Sequence, residues 1–257
     1  MRTLAPLIGA LLALAGGCAA EQKIMVAVYK VDFGKLDAYV EAINKAATPA
    51  LDRLLEDGVI QAYGVDLDAL HSAGQPNVAA WFSASTYGNL QKADDAVLAA
   101  IGAHPAEAKV LLESADMNAH EDYLLEAVMS KFGRIPAGAK PVSTLSQMRI
   151  KPGKMKEWRQ ASEKYFKPIY DKLVDDGAIY SYQALVQGMH TKDPGDVWLL
   201  VQMPDMGAID KLDQAFEARM QAMTPAERSI FENLEATLLV ESAHRDGLMR
   251  SAIFRTK

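Results

Sequence analysis

The chain has one cysteine, Cys18, in 257 residues, so no disulfide can form within it and packing must hold the fold. It has no clustered run of lysine or arginine. With 27 basic and 33 acidic residues, a formal charge of −6 and a pI near 5.4, it lacks the basic face that phosphate backbones require, so no nucleic-acid partner is expected. After Ala20 there is no apolar run of membrane-spanning length, and no transmembrane helix is expected. No G-x-G-x-x-G, Walker loop or G-x-S-x-G elbow occurs, which excludes the common dinucleotide, P-loop and serine-nucleophile sites. No histidine pair has an identifiable third ligand to fill a metal shell, so neither metal nor cofactor is expected.

What is present reads as a folded protein. Half of the residues are hydrophobic and 23% are charged, a globular balance rather than a disordered one. Residues 1–20 read as an address: Arg2 supplies a positive start, Leu4 to Ala15 an apolar run, and Gly16 to Ala20 a small-residue cleavage zone. Export to a bacterial periplasm is the expectation. Two readings of Cys18 stand. Either Leu14-Ala15-Gly16-Gly17-Cys18 is a lipobox, with one residue more than usual before the cysteine, so that Cys18 is lipidated; or cleavage follows Ala20. Membrane contact is expected only through such a lipid anchor.

The rest is organised around a stretch that occurs twice. Lys45 to Tyr63 and Lys164 to Tyr182 share the frame K-x3-P-x2-D-x-L-x2-D-G-x-I-x2-Y, which reads as the second half of a helix, a stop at Asp-Gly and the start of a strand. The offset is 119 for Gly34 with Gly153 and for His71 with His190 (153 − 34 and 190 − 71), and the alignment needs no gap from Gly34 to Val97. Further on, Ala119-His120-x-Asp122 matches Ala243-His244-x-Asp246 at an offset of 124. The slip predicts a longer third helix in the second copy. The reading is a tandem duplication, 21–135 and 136–257, with Gly133 to Pro141 as linker.

In the first copy the pattern predicts strands at Ile24–Val31, Val59–Val65, Val78–Ser83 and Tyr123–Ser130. Helices are predicted from Lys35 to about Glu56, from Tyr87 to Ile101 and from Pro105 onward. Pro49 and Pro168 should break or kink the first helix of each copy. The fold class is therefore α+β: two tandem ferredoxin-like βαββαβ repeats, each with one open apolar sheet face, packed sheet to sheet as a pseudo-dimeric α/β barrel. With its repeated frame, the chain resembles the dimeric α/β-barrel superfamily, which includes cofactor-independent antibiotic-biosynthesis-type monooxygenases, NIPSNAP-like and EthD-like proteins and, more distantly, haem enzymes. The resemblance covers about residues 23 to 256, in a fused form like that of exported bacterial members. It implies a monomer or homodimer that binds a small apolar or anionic ligand.

Four of the five histidines fall into matched pairs, His71 with His190 and His120 with His244. His120 and His244 are expected just before a last strand, each with an aspartate two residues on that can face the same side. His190 and His244 are the candidates for a base, because the second copy offers more aromatic neighbours: Trp198, Tyr180 and Met189 where the first has Ala79, Gln61 and Leu70. Tyr182 and Arg149 are candidates to orient a ligand, with Trp198 and Tyr180 as further binding residues. Tyr63 and Tyr182 are expected on or near the face opposite Ile60 and Ile179, and Trp81, Trp158 and Trp198 in the core or in helix–sheet packing. Asp171, Asp175 and Asp176 read as a solvated acidic face. Two functions compete: a ligand-binding or accessory protein, or a cofactor-independent monooxygenase or isomerase with a histidine base. A haem site with His190 or His244 as axial ligand is a third reading.

Overall fold

Ile24 to Val31 is apolar on both faces because the strand it forms is covered on both: helices pack outside it and a barrel interior lies within. The computed structural model describes residues 22–70, 74–189 and 195–257; the leader with Cys18, and both His71 and His190, lie outside them. The strands are β1 (Lys23–Val31), β2 (Ala62–Asp68), β3 (Val78–Ala84), β4 (Ala115–Phe132), β5 (Val142–Arg149), β6 (Ser181–Gln187), β7 (Asp196–Met203) and β8 (Arg245–Thr256). They form one closed antiparallel barrel in the order β1-β3-β2-β8-β5-β7-β6-β4. The first four strands run 4-1-3-2 and the last four 8-5-7-6, the same split order.

The two groups of four strands meet at their edges. β2 pairs with β8 from Ala62↔Thr256 to Asp68↔Met249, and β4 pairs with β6 from Leu125↔Gln187 to Phe132↔Ser181. Joining both edges removes the unpaired backbone that an open sheet would present. The joint depends on long last strands. β4 has 18 residues where Tyr123–Ser130 was expected, so that it pairs with β1 along its first part and with β6 along its end. His120 and Asp122 consequently lie inside a strand, not before it.

The helices cover the outside. In the first half they are α1 (Leu36–Ala46), α2 (Thr48–Glu56), α3 (Tyr87–Gly102) and α4 (Pro105–Ser114). In the second half they are α5 (Met155–Ala161), a π-helical turn (Ser162–Phe166), α6 (Lys167–Asp175), α7 (Gly207–Ala222), α8 (Pro225–Glu232) and α9 (Leu234–Leu238). Both prolines interrupt their helix, as a residue without N–H must. Pro49 leaves a break at Ala47, whereas ahead of Pro168 the chain widens, with the Lys167 N–H donating to the Ser162 carbonyl. The third helix of the second half does not simply lengthen: it ends at Glu232 and restarts after Asn233 as α9.

The repeated frame has a structural explanation. Gly58 and Gly177 take positive φ (71° and 68°), the left-handed turn that ends a helix and sends the chain into a strand. β2 begins at Ala62, later than the expected Val59, so Ile60 sits in the turn and alternation does not yet apply to it. Ile60 and Tyr63 share one core, as do Ile179 and Tyr182, contrary to the expected opposite faces. Each tyrosine hydroxyl then donates to the frame's own aspartate, Tyr63 to Asp52 and Tyr182 to Asp171 at 2.6 Å, tying helix to strand. The second-half acids are paired rather than merely solvated: Asp171 with Lys167, Asp175 with Lys131 and Asp176 with Lys172.

Three apolar clusters result. One lies between sheet and helices in each half, around Tyr63 and around Tyr182, and a third fills the barrel with Ile24, Leu125, Leu185 and Trp198. Of the two expectations for Trp81, core or helix–sheet packing, it is the core: Trp81 packs against that interior cluster.

Candidate functional site: a cavity under the helices of the second half

Between the second-half sheet and its helices lies a cavity of about 180 Å³. Strand residues form its floor and the widened helix its roof. Ser146 and Met148 of β5, Ala184 of β6 and Leu199 of β7 face outward from the barrel, while Trp158, Ser162, Phe166 and Tyr170 come down from α5, the π turn and α6. The far wall is α9 and the residue after it, Leu234, Glu235, Leu238 and Leu239. This is the stretch that the four-residue slip between the copies adds.

His244 stands at the rim, its side chain about one-third exposed. Its Nε2 is 3.3 Å from Asp246 Oδ1, and the same oxygen accepts a hydrogen bond of 2.5 Å from Ser146 Oγ. A serine, an aspartate and a histidine thus meet beside an apolar chamber. The serine donates to the carboxylate and not to the imidazole, so the arrangement orients the histidine and does not activate the hydroxyl as a nucleophile. Tyr170, buried in the wall, has its phenol held well above the usual range by desolvation, so it stays a neutral donor.

The other residues named from sequence are placed elsewhere. Trp198 faces the barrel interior, on the opposite side of the sheet from His244, so the two do not share a chamber. Tyr182 is fully buried with its hydroxyl on Asp171. Arg149 Nε donates to Asp196 Oδ1 at 2.7 Å. Tyr180 lies in the turn before β6, where its backbone bridges Gly133 and Gln202. His190 is outside the described residues. Sequence reasoning missed Ser146, the π turn and α9. The slip in offset was the available signal for α9, and the change from Ala27 to Ser146 at matched positions was the signal for the serine.

Among the described residues no group of three or more His, Cys, Asp or Glu side chains converges as a metal site would, and no helix is long and apolar enough to cross a membrane. A haem does not fit the cavity as it stands. At about 180 Å³ it is below the ~300–1,000 Å³ of sites for drug-sized ligands, and His244 at its rim is turned to Asp246.

No family model matches the chain, and no curated protein matches it. Solved structures do. A presumptive monooxygenase from Fusobacterium nucleatum superposes with a TM-score of 0.66 at 11% identity, over 93% of this chain and 96% of the other. One from Lactobacillus acidophilus gives 0.62 at 11%, over 92% and 96%. An anthrone oxidase-like protein gives 0.55 at 9%, over 92% and 93%. At these identities the likeness is one of fold: the neighbours belong to the dimeric α/β-barrel superfamily, and this chain is an α+β protein with the closed antiparallel eight-stranded barrel consistent with that fold.

Proposed function

We propose that this is an exported, tandemly duplicated small-molecule-binding protein, and that its ligand occupies the cavity under the second-half helices. One observation carries the reading: His244 lines an open chamber, while its counterpart His120 is stacked on Tyr29 with ring centroids 4.6 Å apart and planes within 6°. Trp158, Phe166 and Tyr170 give the chamber aromatic walls, and His244, Ser146 and Glu235 give it a few placed polar groups, the pattern of a small-molecule site. The ligand is mostly apolar, with one group that hydrogen-bonds to His244. A fragment screen by thermal shift tests this. Hits should lose most of their effect in His244→Ala and keep it in His120→Ala; equal loss in both, with folding intact, would dispose of the assignment.

The Ser146–Asp246–His244 chain favours a second reading, cofactor-independent oxygenation, in line with the barrel neighbours described as monooxygenase and anthrone oxidase-like. Here the His244 imidazole takes an acidic C–H proton, leaving a carbanion that dioxygen oxidises. With a methylene ketone the sum is R2CH2 + O2 → R2C=O + H2O. Oxygen uptake with 2-indanone, an activated methylene ketone small enough for the chamber, distinguishes the readings: turnover abolished by His244→Ala supports an enzyme, and binding without uptake supports the first reading.

A further inference from the structure

We propose that the barrel interior is a second binding site, for a neutral molecule about the size of a benzene ring that carries one or two O–H or N–H donors. Closure of the sheet encloses a cavity of about 130 Å³ between the inward faces of both halves. An engineered apolar cavity of about 150 Å³ is known to hold benzene, which sets the size class. The walls are Ile24, Val26, Leu125 and Leu185, with Trp198 in edge contact with Tyr123 at 5.4 Å. Such walls alone would accept any small apolar body.

Two side chains make the chamber selective. Gln22 and Gln183 line it, are 8% and 6% exposed, and each has an amide oxygen without a hydrogen-bond partner. For Gln22 the geometry fixes which end of the amide is free, because its Nε2 donates to Ser83 Oγ at 2.8 Å and leaves Oε1 over. Buried carbonyl oxygens are nearly always satisfied, so two in one chamber call for donors from something that enters it. Among the described residues no lysine or arginine lines the cavity to provide them. The buried acid there, Asp66, is already engaged: it accepts from Trp81 Nε1 at 2.7 Å and from Ser251 Oγ. Gly64 makes room for that, since a Cβ there would lie 2.8 Å from the Trp81 ring. The glutamines therefore do the recognising, at the barrel end where half-exposed Phe132 lines the cavity and faces solvent.

Phenol and benzene are the probes, matched in size and differing in one donor. The Trp158→Phe variant keeps only Trp81 and Trp198, both in this chamber, so its emission reports the barrel and not the cavity under the helices. Phenol should quench that emission saturably and bind about fivefold or more tightly than benzene, the effect of one hydrogen bond. The double variant Gln22→Leu/Gln183→Leu should abolish the preference while retaining benzene; Gln22→Met/Gln183→Met repeats the test if the leucine variant does not fold. Equal affinity for the two probes, a preference that survives loss of both glutamines, or no quenching by either probe would overturn the proposal, the last outcome assigning the free oxygens to bound water.

Discussion

At matched positions the two halves do opposite things with the space between sheet and helices. In the first, Tyr29 is stacked on His120 and meets Tyr39 at a tilt of 53°, with ring centroids 5.9 Å apart for the tyrosine pair. In the second, Met148, Trp158 and His244 stand at the corresponding places around an open chamber. The difference is not one of polarity or size alone, since Trp158 is larger than Tyr39. It comes from the roof: α1 runs straight to its break at Ala47, whereas α5 gives way to the π turn and the added α9 stands off as a separate wall. π turns interrupt helices frequently at functional sites, and here the interruption faces the chamber with Ser162 and Phe166. At these positions the first half fills the space with rings, and the second leaves it open.

The largest effect should come from separating the halves. Residues 21–135 and 136–257 expressed alone would each leave two strand edges unpaired and the barrel-facing apolar surface exposed, so neither should show a cooperative, monomeric unfolding transition. A well-folded monomeric half by calorimetry and gel filtration would end the comparison as drawn. Next come the frame's tyrosines. Tyr63→Phe and Tyr182→Phe each strand a carboxylate that now accepts a phenol, and each should cost about 1–3 kcal/mol in urea unfolding, by similar amounts. A large cost in one half only would show that the frame serves different ends in the two.

A reciprocal exchange sharpens the contrast itself. Met148→Tyr should close the second-half chamber and remove ligand effects, while Tyr29→Met should loosen the first half by about 1–3 kcal/mol, in the usual range for a core substitution. Retained ligand response in Met148→Tyr would place the ligand elsewhere. The smallest effect concerns Asp66, which faces the barrel where its counterpart is Leu185. Desolvation raises its carboxyl above the ordinary range, against the hydrogen bonds from Ser251 and Trp81. A raised folded pKa means that the contribution to stability is fully present below the unfolded value, near 3.9, and is lost as pH rises through the folded one. Asp66→Asn should therefore be more favourable relative to wild type at pH 7 than at pH 4, and a pH-independent difference in Tm would refute this.

The strand–helix order was legible because each element carries its own signal: a continuous apolar run in IMVAVYKV, Asp-Gly at the helix ends, prolines at the breaks. The barrel chamber was not, because strand closure depends on pairs such as Tyr63↔Arg255 that no local pattern announces. Asp66 hid for a related reason, since an acid in a strand reads as solvent-facing unless the far side is known to be enclosed. His244 and Asp246 were visible as a repeated motif, but their third member, Ser146, comes from another strand a hundred positions away. Trp198 was named as a binding residue beside His244 and stands on the other face of the sheet, because β7 is covered on both sides and composition cannot say which side is which.

The joint between β2 and β8 also sets an order of events for folding. Partners such as Ala62 and Thr256 lie 194 positions apart (256 − 62), so this seam has about the highest loop-closure cost the topology contains. Local pairs, β2 with β3 and β6 with β7, can form early as hairpins, but the ring cannot shut until residues 249–256 reach their partner strand. Refolding should then show its slow phase in the burial of Trp81 and Phe254, which meet across that seam at 6.0 Å, after the helices have formed. The last strand is in effect a latch, and the time the chain spends unlatched is the time during which its open edges are available to other molecules.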